Sequence, residues 1–342
     1  MMGHNQLRHS QGGPWVAATA AELLAGATSR EAVDPDDGKS GSSFARVTID
    51  GRGYFLKSLS PAGDWIMRIT GDYEHRPLLV WQAGIIHSAP ACIDPAIVGM
   101  ALEGDGEHAV LSILMHDIGD RLVPEGDEPI RLAQHRGFVD HLAALSAAYW
   151  GWEDTIGLVP LSHRFRFFAP DNIAAELDVD DVPVPIRVAD EGWRVLPERS
   201  PRLAEVLAGI HDDPSTLTRA LEETPATFLH GDWKMGNLGS HPDGRTILLD
   251  WAYPGQGPAC YDLAWYMALN RSRLPETKEA TIEAFRSALE RHGVDTGGWW
   301  ETQLDLCLLG IMATFAWEKA VGDEAELRWW ESRALGAIRW LG

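Results

Sequence analysis

The sequence predicts an α+β protein: a small strand-rich N-terminal part with one main helix, then a larger, mostly helical part. Three observations predict it. Apolar and β-branched residues alternate over 44–49 and return over 54–57. Beyond about 119, apolar residues recur instead at spacings of three and four. The length, 342 residues, suits one large two-lobed unit or two domains. The expected organisation is a flexible tail at 1–13, an N-terminal lobe at 14–118 and a C-terminal lobe at 119–342, with a nucleotide in the cleft between the lobes.

The elements follow in order. Phe44, Val47, Thr48 and Ile49 make a strand; Asp50-Gly51-Arg52-Gly53 is a turn; Tyr54-Phe55-Leu56-Lys57 is the returning strand. Residues 76–84 read as the main helix, with Leu79 and Trp81 among its apolar positions, and Pro90 and Pro95 fall in loop. Residues 109–115 form a further strand. Phe138, Leu142, Leu145 and Tyr149 mark a helix, as do Leu304, Leu308, Ile311 and Phe315. Ile282, Phe285 and Leu289 mark another, stopped at His292-Gly293. Residues 170–200 are acidic, proline-containing and aperiodic, and read as an insertion or long loop.

Composition is that of a globular protein, 45% apolar and 23% charged. The formal charge of −21 excludes bulk neutralisation of nucleic-acid phosphates and is compatible with a cationic substrate. Cys92, Cys260 and Cys307 are odd in number and far apart, which argues against a disulfide framework or zinc site and for a reducing cytoplasm. The first residues contain no apolar signal region. The longest apolar run, 304–317, contains Asp305, is too short to span a bilayer and reads as a buried helix. Neither a membrane nor a nucleic-acid partner is expected.

The chemistry concentrates in His230-Gly231-Asp232-Trp233-Lys234-Met235-Gly236-Asn237 and in Leu248-Leu249-Asp250-Trp251. An apolar segment, 227–229, delivers the chain to Gly231, which permits a tight turn. Asp232 can then accept the proton of an attacking hydroxyl, and Lys234 can face the transferring phosphoryl oxygens. Asn237 and Asp250, the latter at the end of a buried strand, offer hard oxygen ligands to Mg²⁺. Carboxylates converging this closely repel, so Mg²⁺ belongs to the expected site. Gly38-Lys39-Ser40-Gly41-Ser42-Ser43 precedes the first strand, and its small residues, Ser42 and Ser43 among them, can approach phosphate oxygens. Lys57 lies in an apolar strand, where an ammonium needs a partner.

The stretch H-G-D-x-K-x-x-N followed by L-L-D-W resembles the aminoglycoside phosphotransferase and choline kinase family, a branch of the protein-kinase-like fold. The resemblance spans roughly 30 to 340, with its specific motifs between 230 and 262. It implies a bilobal kinase fold and ATP-dependent transfer to a small-molecule hydroxyl, with GTP as an alternative donor. It implies Asp232 as catalytic base, Asn237 and Asp250 as Mg²⁺ ligands, and His230 as support for the catalytic loop. Lys234 departs from many small-molecule members, which carry another residue there, and is similar to the lysine of protein kinases. Asp262, in Gly257-Pro258-Ala259-Cys260-Tyr261-Asp262, resembles an anchor for the catalytic loop and also suits a helix N-terminus. By resemblance Lys57 contacts the α- and β-phosphates and pairs with a helix glutamate, for which Glu74 is the best candidate. The segment with Met115, Asp117 and Ile118 is then the hinge that meets adenine.

On the acceptor side the resemblance directs attention to Trp150, Trp152, Asp171, Glu176, Asp178, Asp180 and Asp181, and to Trp299, Trp300, Glu301, Trp317 and Glu318. Carboxylates and aromatic faces together suit an amino sugar. The expected acceptor is a small hydroxylated molecule: an aminoglycoside or other antibiotic, or an amino sugar. The alternatives are a sugar or amino-alcohol metabolite unrelated to resistance, and a catalytically silent nucleotide-binding protein.

Overall fold

The computed structural model describes residues 14–33, 40–179 and 182–342. The expected tail at 1–13, Gly38 and Lys39, and Asp180 and Asp181 lie outside the described residues. Two compact units divide the chain: one runs to Ala89 and resumes over Pro95–Arg121, and the other holds Pro90–Asp94 and Leu122–Gly342.

In the first unit, β1 (Val16–Ala17), the short α1 (Ala20–Leu23), β2 (Ala27–Val33), β3 (Ser43–Ile49) and β4 (Arg52–Leu59) are followed by α2 (Trp65–Thr70) and α3 (Arg76–Gln82). After β5 (Ile93–Asp94), which belongs to the second unit, come β6 (Ile97–Glu103) and β7 (Val110–His116). The six-stranded sheet has the order β1-β6-β7-β4-β3-β2, with β1 parallel to β6 and all other pairs antiparallel. The β3–β4 register closes at Ile49 opposite Arg52 around Asp50 and Gly51, which have φ of 49° and 75°. That is the two-residue turn whose twist matches a hairpin. Alternation then sorts the faces: Ala45, Val47 and Ile49 of β3 and Tyr54 and Leu56 of β4 bury together with Leu23 and Leu114. Lys57, one step on from Leu56, takes the opposite face.

The second unit contains α4 (Leu132–Ala148), α5 (Leu161–Arg164), α6 (Pro170–Leu177), α7 (Val184–Arg199), α8 (Pro201–Asp212) and α9 (Ser215–Glu222). The short strands β8 (Thr227–Leu229), β9 (Leu238–Ser240), β10 (Thr246–Leu248) and β11 (Gly255–Gly257) lead into α10 (Cys260–Asn270), α11 (Lys278–Arg291), α12 (Trp300–Ala320) and α13 (Glu324–Ala337). β5, β10 and β9 form one small sheet, and β11 and β8 another. α12 carries the run 304–317 and is buried on every face, because α7, α10 and α13 all pack on it. Among the described residues no helix is long and apolar enough to cross a membrane.

The expected loop at 170–200 is instead mostly helical. Prolines open both helices there, Pro170 at the start of α6 and Pro185 in the first turn of α7. Ile186, Ala189, Gly192 and Leu196 form the buried stripe of α7. Gly192 lets α7 approach α12 closely: a Cβ there would stand 2.2 Å from the Trp317 carbonyl oxygen. Acidic residues between the stripe positions, and Pro197 in its last turn, mask this period in the sequence.

Candidate active site

The loop from His230 to Asn237, the expected catalytic loop, is assembled by backbone constraints. β8 is wholly buried and ends at Leu229, just before His230. Gly231 follows with φ of +81°, and a Cβ there would lie 1.8 Å from the Tyr253 carbonyl oxygen, so only glycine fits. The loop passes Asp232 and Lys234 and makes a short 3-10 turn over Met235–Asn237. The Leu249 N–H donates to the Asn237 carbonyl at 2.9 Å, which ties the loop's end to the residue before Asp250. Asp250 has φ of 58°, a left-handed conformation that costs a non-glycine residue energy and is often retained at functional sites.

Asp232 is held by three side-chain donors. Lys234 Nζ and Asn237 Nδ2 both donate to Oδ2 at 2.7 Å, and Trp265 Nε1 donates to Oδ1 at 2.9 Å. A carboxylate has about four lone-pair directions, so one remains, on Oδ1. Burial pushes the Asp232 carboxyl above the ordinary range; Lys234 opposes the rise and Asp250 adds to it. The result is a fixed carboxylate more basic than a free aspartate, as a proton acceptor requires. Asn237 also donates Nδ2–H to the Asp232 carbonyl at 3.0 Å, which leaves its side-chain oxygen for another ligand.

Two residues lock this loop from beneath. His230 is fully buried; Nε2–H faces the Leu249 carbonyl at 3.1 Å, and Nδ1 accepts the Asp232 N–H at 3.3 Å. Burial pulls its pKa down to about 4, against the pull of Asp250, so the ring is neutral and holds one tautomer. Asp262, in the first turn of α10, accepts the His230 N–H at 2.9 Å and the Gly231 N–H at 3.0 Å. The sequence left open whether Asp262 anchors the loop or serves the helix start; geometrically it does both. α10 gives a third support at its end, where Asn270 Oδ1 accepts the Met235 N–H at 3.0 Å. Trp265 and Asn270 were missed in the sequence. Their signal is a hydrogen-bonding side chain inside an otherwise apolar helix, which must find a partner when buried.

In the first unit, Lys57 lies opposite Phe44 on β3 and Ile113 on β7. Glu74 is exposed and precedes α3, separated from it by His75 in a left-handed conformation (φ 56°), with the α3 start taken by Asp72, which accepts the Arg76 N–H at 2.9 Å. The carboxylate whose pKa Lys57 lowers is Asp64. Asp64 caps α2, accepting the Ile66 and Met67 N–H groups at 2.9 and 3.2 Å and the Ser42 hydroxyl at 3.0 Å. Burial still leaves its pKa raised. The Ser42 hydroxyl is thus engaged with Asp64, and the Ser40 carbonyl accepts the Trp65 N–H at 3.1 Å. Ser43 begins β3 and is exposed. Met115 is buried on β7, and Ile118 is buried just beyond it. Asp117 between them is exposed and pairs with Arg46 at 3.5 Å.

The residues singled out for the acceptor are dispersed among other contacts. Trp150 packs on Trp299, Trp152 edge-on against Phe228, Trp300 on Phe285 and Trp317 on Phe168. Glu318 pairs with Arg271 and Lys319, and Glu176 is buried. Asp178 ends α6, and Glu301 is exposed in the first turn of α12. Asp171 pairs with Arg166 and, with Trp193 and His211, lines a cavity of about 440 Å³ among α6, α7 and α8. The ring on the Asp232 carboxylate is Trp265, backed by Phe167, Tyr253 and Phe315.

Comparison with known proteins agrees with this fold. An aminopropanol kinase associated with a microcompartment superposes with a TM-score of 0.52 at 15% identity, over 91% of this chain and 90% of that one. A thermostable mutant of aminoglycoside phosphotransferase APH(4)-Ia matches at 0.46 and 14%, over 93% and 97%. Choline kinase LicA from Streptococcus pneumoniae matches at 0.44 and 11%, over 94% and 95%. The search of curated proteins found no match. A family model described as the phosphotransferase enzyme family matches residues 35–294, most of the chain and all of the catalytic loop, and the protein therefore belongs to that family, with a protein-kinase-like fold.

Proposed function

We propose that this chain moves the γ-phosphoryl group of a nucleoside triphosphate, ATP first and GTP second, to a hydroxyl of a small molecule. The observation that supports it most is Asp232, immobilised by three donors with one lone-pair direction left on Oδ1. In the proposed step the acceptor O–H gives its proton to Asp232. The acceptor oxygen bonds to the γ-phosphorus as the bond from that phosphorus to the β,γ-bridging oxygen breaks, and the nucleoside diphosphate leaves. Lys234 and Lys57 offset charge on the phosphoryl oxygens. The Asn237 side-chain oxygen and the Asp250 carboxylate are hard donors that fit Mg²⁺, which when bound would neutralise the β- and γ-phosphates. With the Ser42 hydroxyl given to Asp64, the Ser43 hydroxyl and the backbone of the 40–43 segment are the groups left to meet phosphate, and Met115, Asp117 and Ile118 supply the adenine contact.

For the acceptor, an aminoglycoside, another antibiotic or an amino sugar comes first, and a sugar or amino-alcohol metabolite second. The charge of −21 supports a cationic acceptor. The test is incubation with γ-labelled ATP or GTP, Mg²⁺ and a pooled library of aminoglycosides, sugars and amino alcohols. Label should enter one compound and be absent with Asp232→Ala. Release of free phosphate alone with every acceptor would make the protein a hydrolase, and failure to bind Mg·ATP would end the reading.

A further inference from the structure

Arg164, at the end of α5, is fully buried, and nothing in the motifs explains it. Its Nη2 donates to the Tyr253 carbonyl at 3.0 Å, and its guanidinium lies 4.7 Å from the Tyr253 ring centroid and 5.5 Å from that of Tyr261. Its Nε and Nη1 have no hydrogen-bond partner among the described residues. Two glycines make room for it. A Cβ on Gly231 of the catalytic loop would stand 2.6 Å from Nη1, and one on Gly255 of β11 would stand 2.5 Å from Nη2. Its carbonyl accepts the Thr314 hydroxyl of α12 at 3.0 Å. A buried charge with unmet donors is costly, and an apolar residue of similar size would often be more stable. Such a group calls for a use of its charge.

The charge lies against the seat of a carboxylate: Gly231, beside Nη1, donates its N–H to Asp262 at 3.0 Å. Burial raises the Asp262 pKa, which stands at about 6 once every influence has acted, and Arg164 is the largest influence holding it down. The other groups acting on Asp262 are the His230 and Gly231 N–H donors and Asp232, which opposes ionisation. Tyr261 beside it on α10 and Cys307 on α12 are also coupled to it, and burial pushes both above their ordinary range, so both are uncharged.

We propose that Arg164 is a positioning residue of the catalytic loop: its buried charge keeps the Asp262 carboxylate seated on the His230 and Gly231 N–H groups, and so fixes the direction of Asp232. The link to catalysis rests on the function proposed above; the Arg164–Asp262 coupling does not.

The experiment compares Arg164→Met, Arg164→Lys, Asp262→Asn and the double variant Arg164→Met with Asp262→Asn. Thermal unfolding at pH 5 and pH 8 reads the coupling without any substrate. Arg164→Met should lose more melting temperature at pH 8, where Asp262 is ionised, than at pH 5. That difference should vanish in the Asp262→Asn background, and Arg164→Lys should follow the wild type. Equal losses at both pH values and in both backgrounds, or a Lys variant that behaves like Met, would mean a packing role and overturn the proposal. If Arg164→Met does not fold at pH 8, recovery at pH 5 or in the double variant supports the charge role, and failure everywhere overturns it. For the catalytic link, kcat for ATP turnover should fall at least tenfold in Arg164→Met while the Kd for Mg·ADP stays within threefold. A proportionate loss of Mg·ADP affinity would overturn the link. An inactive wild type would sink the function reading alone, with the unfolding series still deciding the pair.

Discussion

Two buried carboxylates, one in each unit, do the same job with different partners. Asp64 collects the first N–H groups of α2 and the Ser42 hydroxyl, with Lys57 as its cation. Asp262 collects the N–H groups of the catalytic loop, with Arg164 as its cation. Burial raises both pKa values. The difference lies in the cations. Lys57 is half-buried on a strand and carries a compact charge on a flexible stem, whereas Arg164 is sealed between two glycines and two tyrosine rings. The loop of His230 and Gly231 is therefore fixed from beneath by groups that have nowhere to go. The 40–43 segment is fixed by hydroxyl and backbone contacts that a competing anion could replace.

The largest effect expected is on chemistry. Asp232→Ala should lower turnover by about 10³-fold while costing less melting temperature than Asp262→Ala, since Asp232 is a partner of side chains and not a seat for the backbone. Kinetics and calorimetry on the same sample check this. Next comes Asp262→Ala, which orphans two buried N–H groups and should cost roughly 3 kcal/mol of stability, read by urea unfolding. Its pH signature sharpens the comparison. Because the Asp262 pKa is raised to about 6, the folded state holds that proton more tightly than the unfolded chain. Its contribution to stability is full below about pH 4 and lost as the pH rises through 6, so Asp262→Asn should flatten stability across that window. Asp64→Ala should cost about 1 to 2 kcal/mol, the value of a helix cap, and raise KM for ATP with little change in kcat. An unchanged KM would separate Asp64 from Lys57. The smallest effect is expected of Glu74→Ala, within about 0.5 kcal/mol and without a change in KM, because it is an exposed residue outside α3.

Much of the site was legible because it is local. Asp232, Lys234 and Asn237 meet within six residues of chain, and the Asp-Gly turn between β3 and β4 is chosen by backbone sterics that two residues reveal. The alternation in β3 and β4 set the buried face, and the fully apolar 304–317 run marked the central helix. The run from 170 to 200 was misread because prolines, which read as loop, here start helices, and because acidic residues interrupt the apolar stripe of α7.

The order of chemical groups along the chain, and so the family, follows from short-range rules: which residues can turn, which can ligate a hard cation and which alternate on a strand. The partners were decided elsewhere. The Ser42 hydroxyl on Asp64, the Trp265 indole on Asp232, and Arg164 beneath Gly231 all join positions distant in the chain or set by the exact angle at which a helix begins. A buried charge or donor shows in a sequence that it needs a partner. Which partner it takes is settled only when packing has removed the water that would otherwise serve.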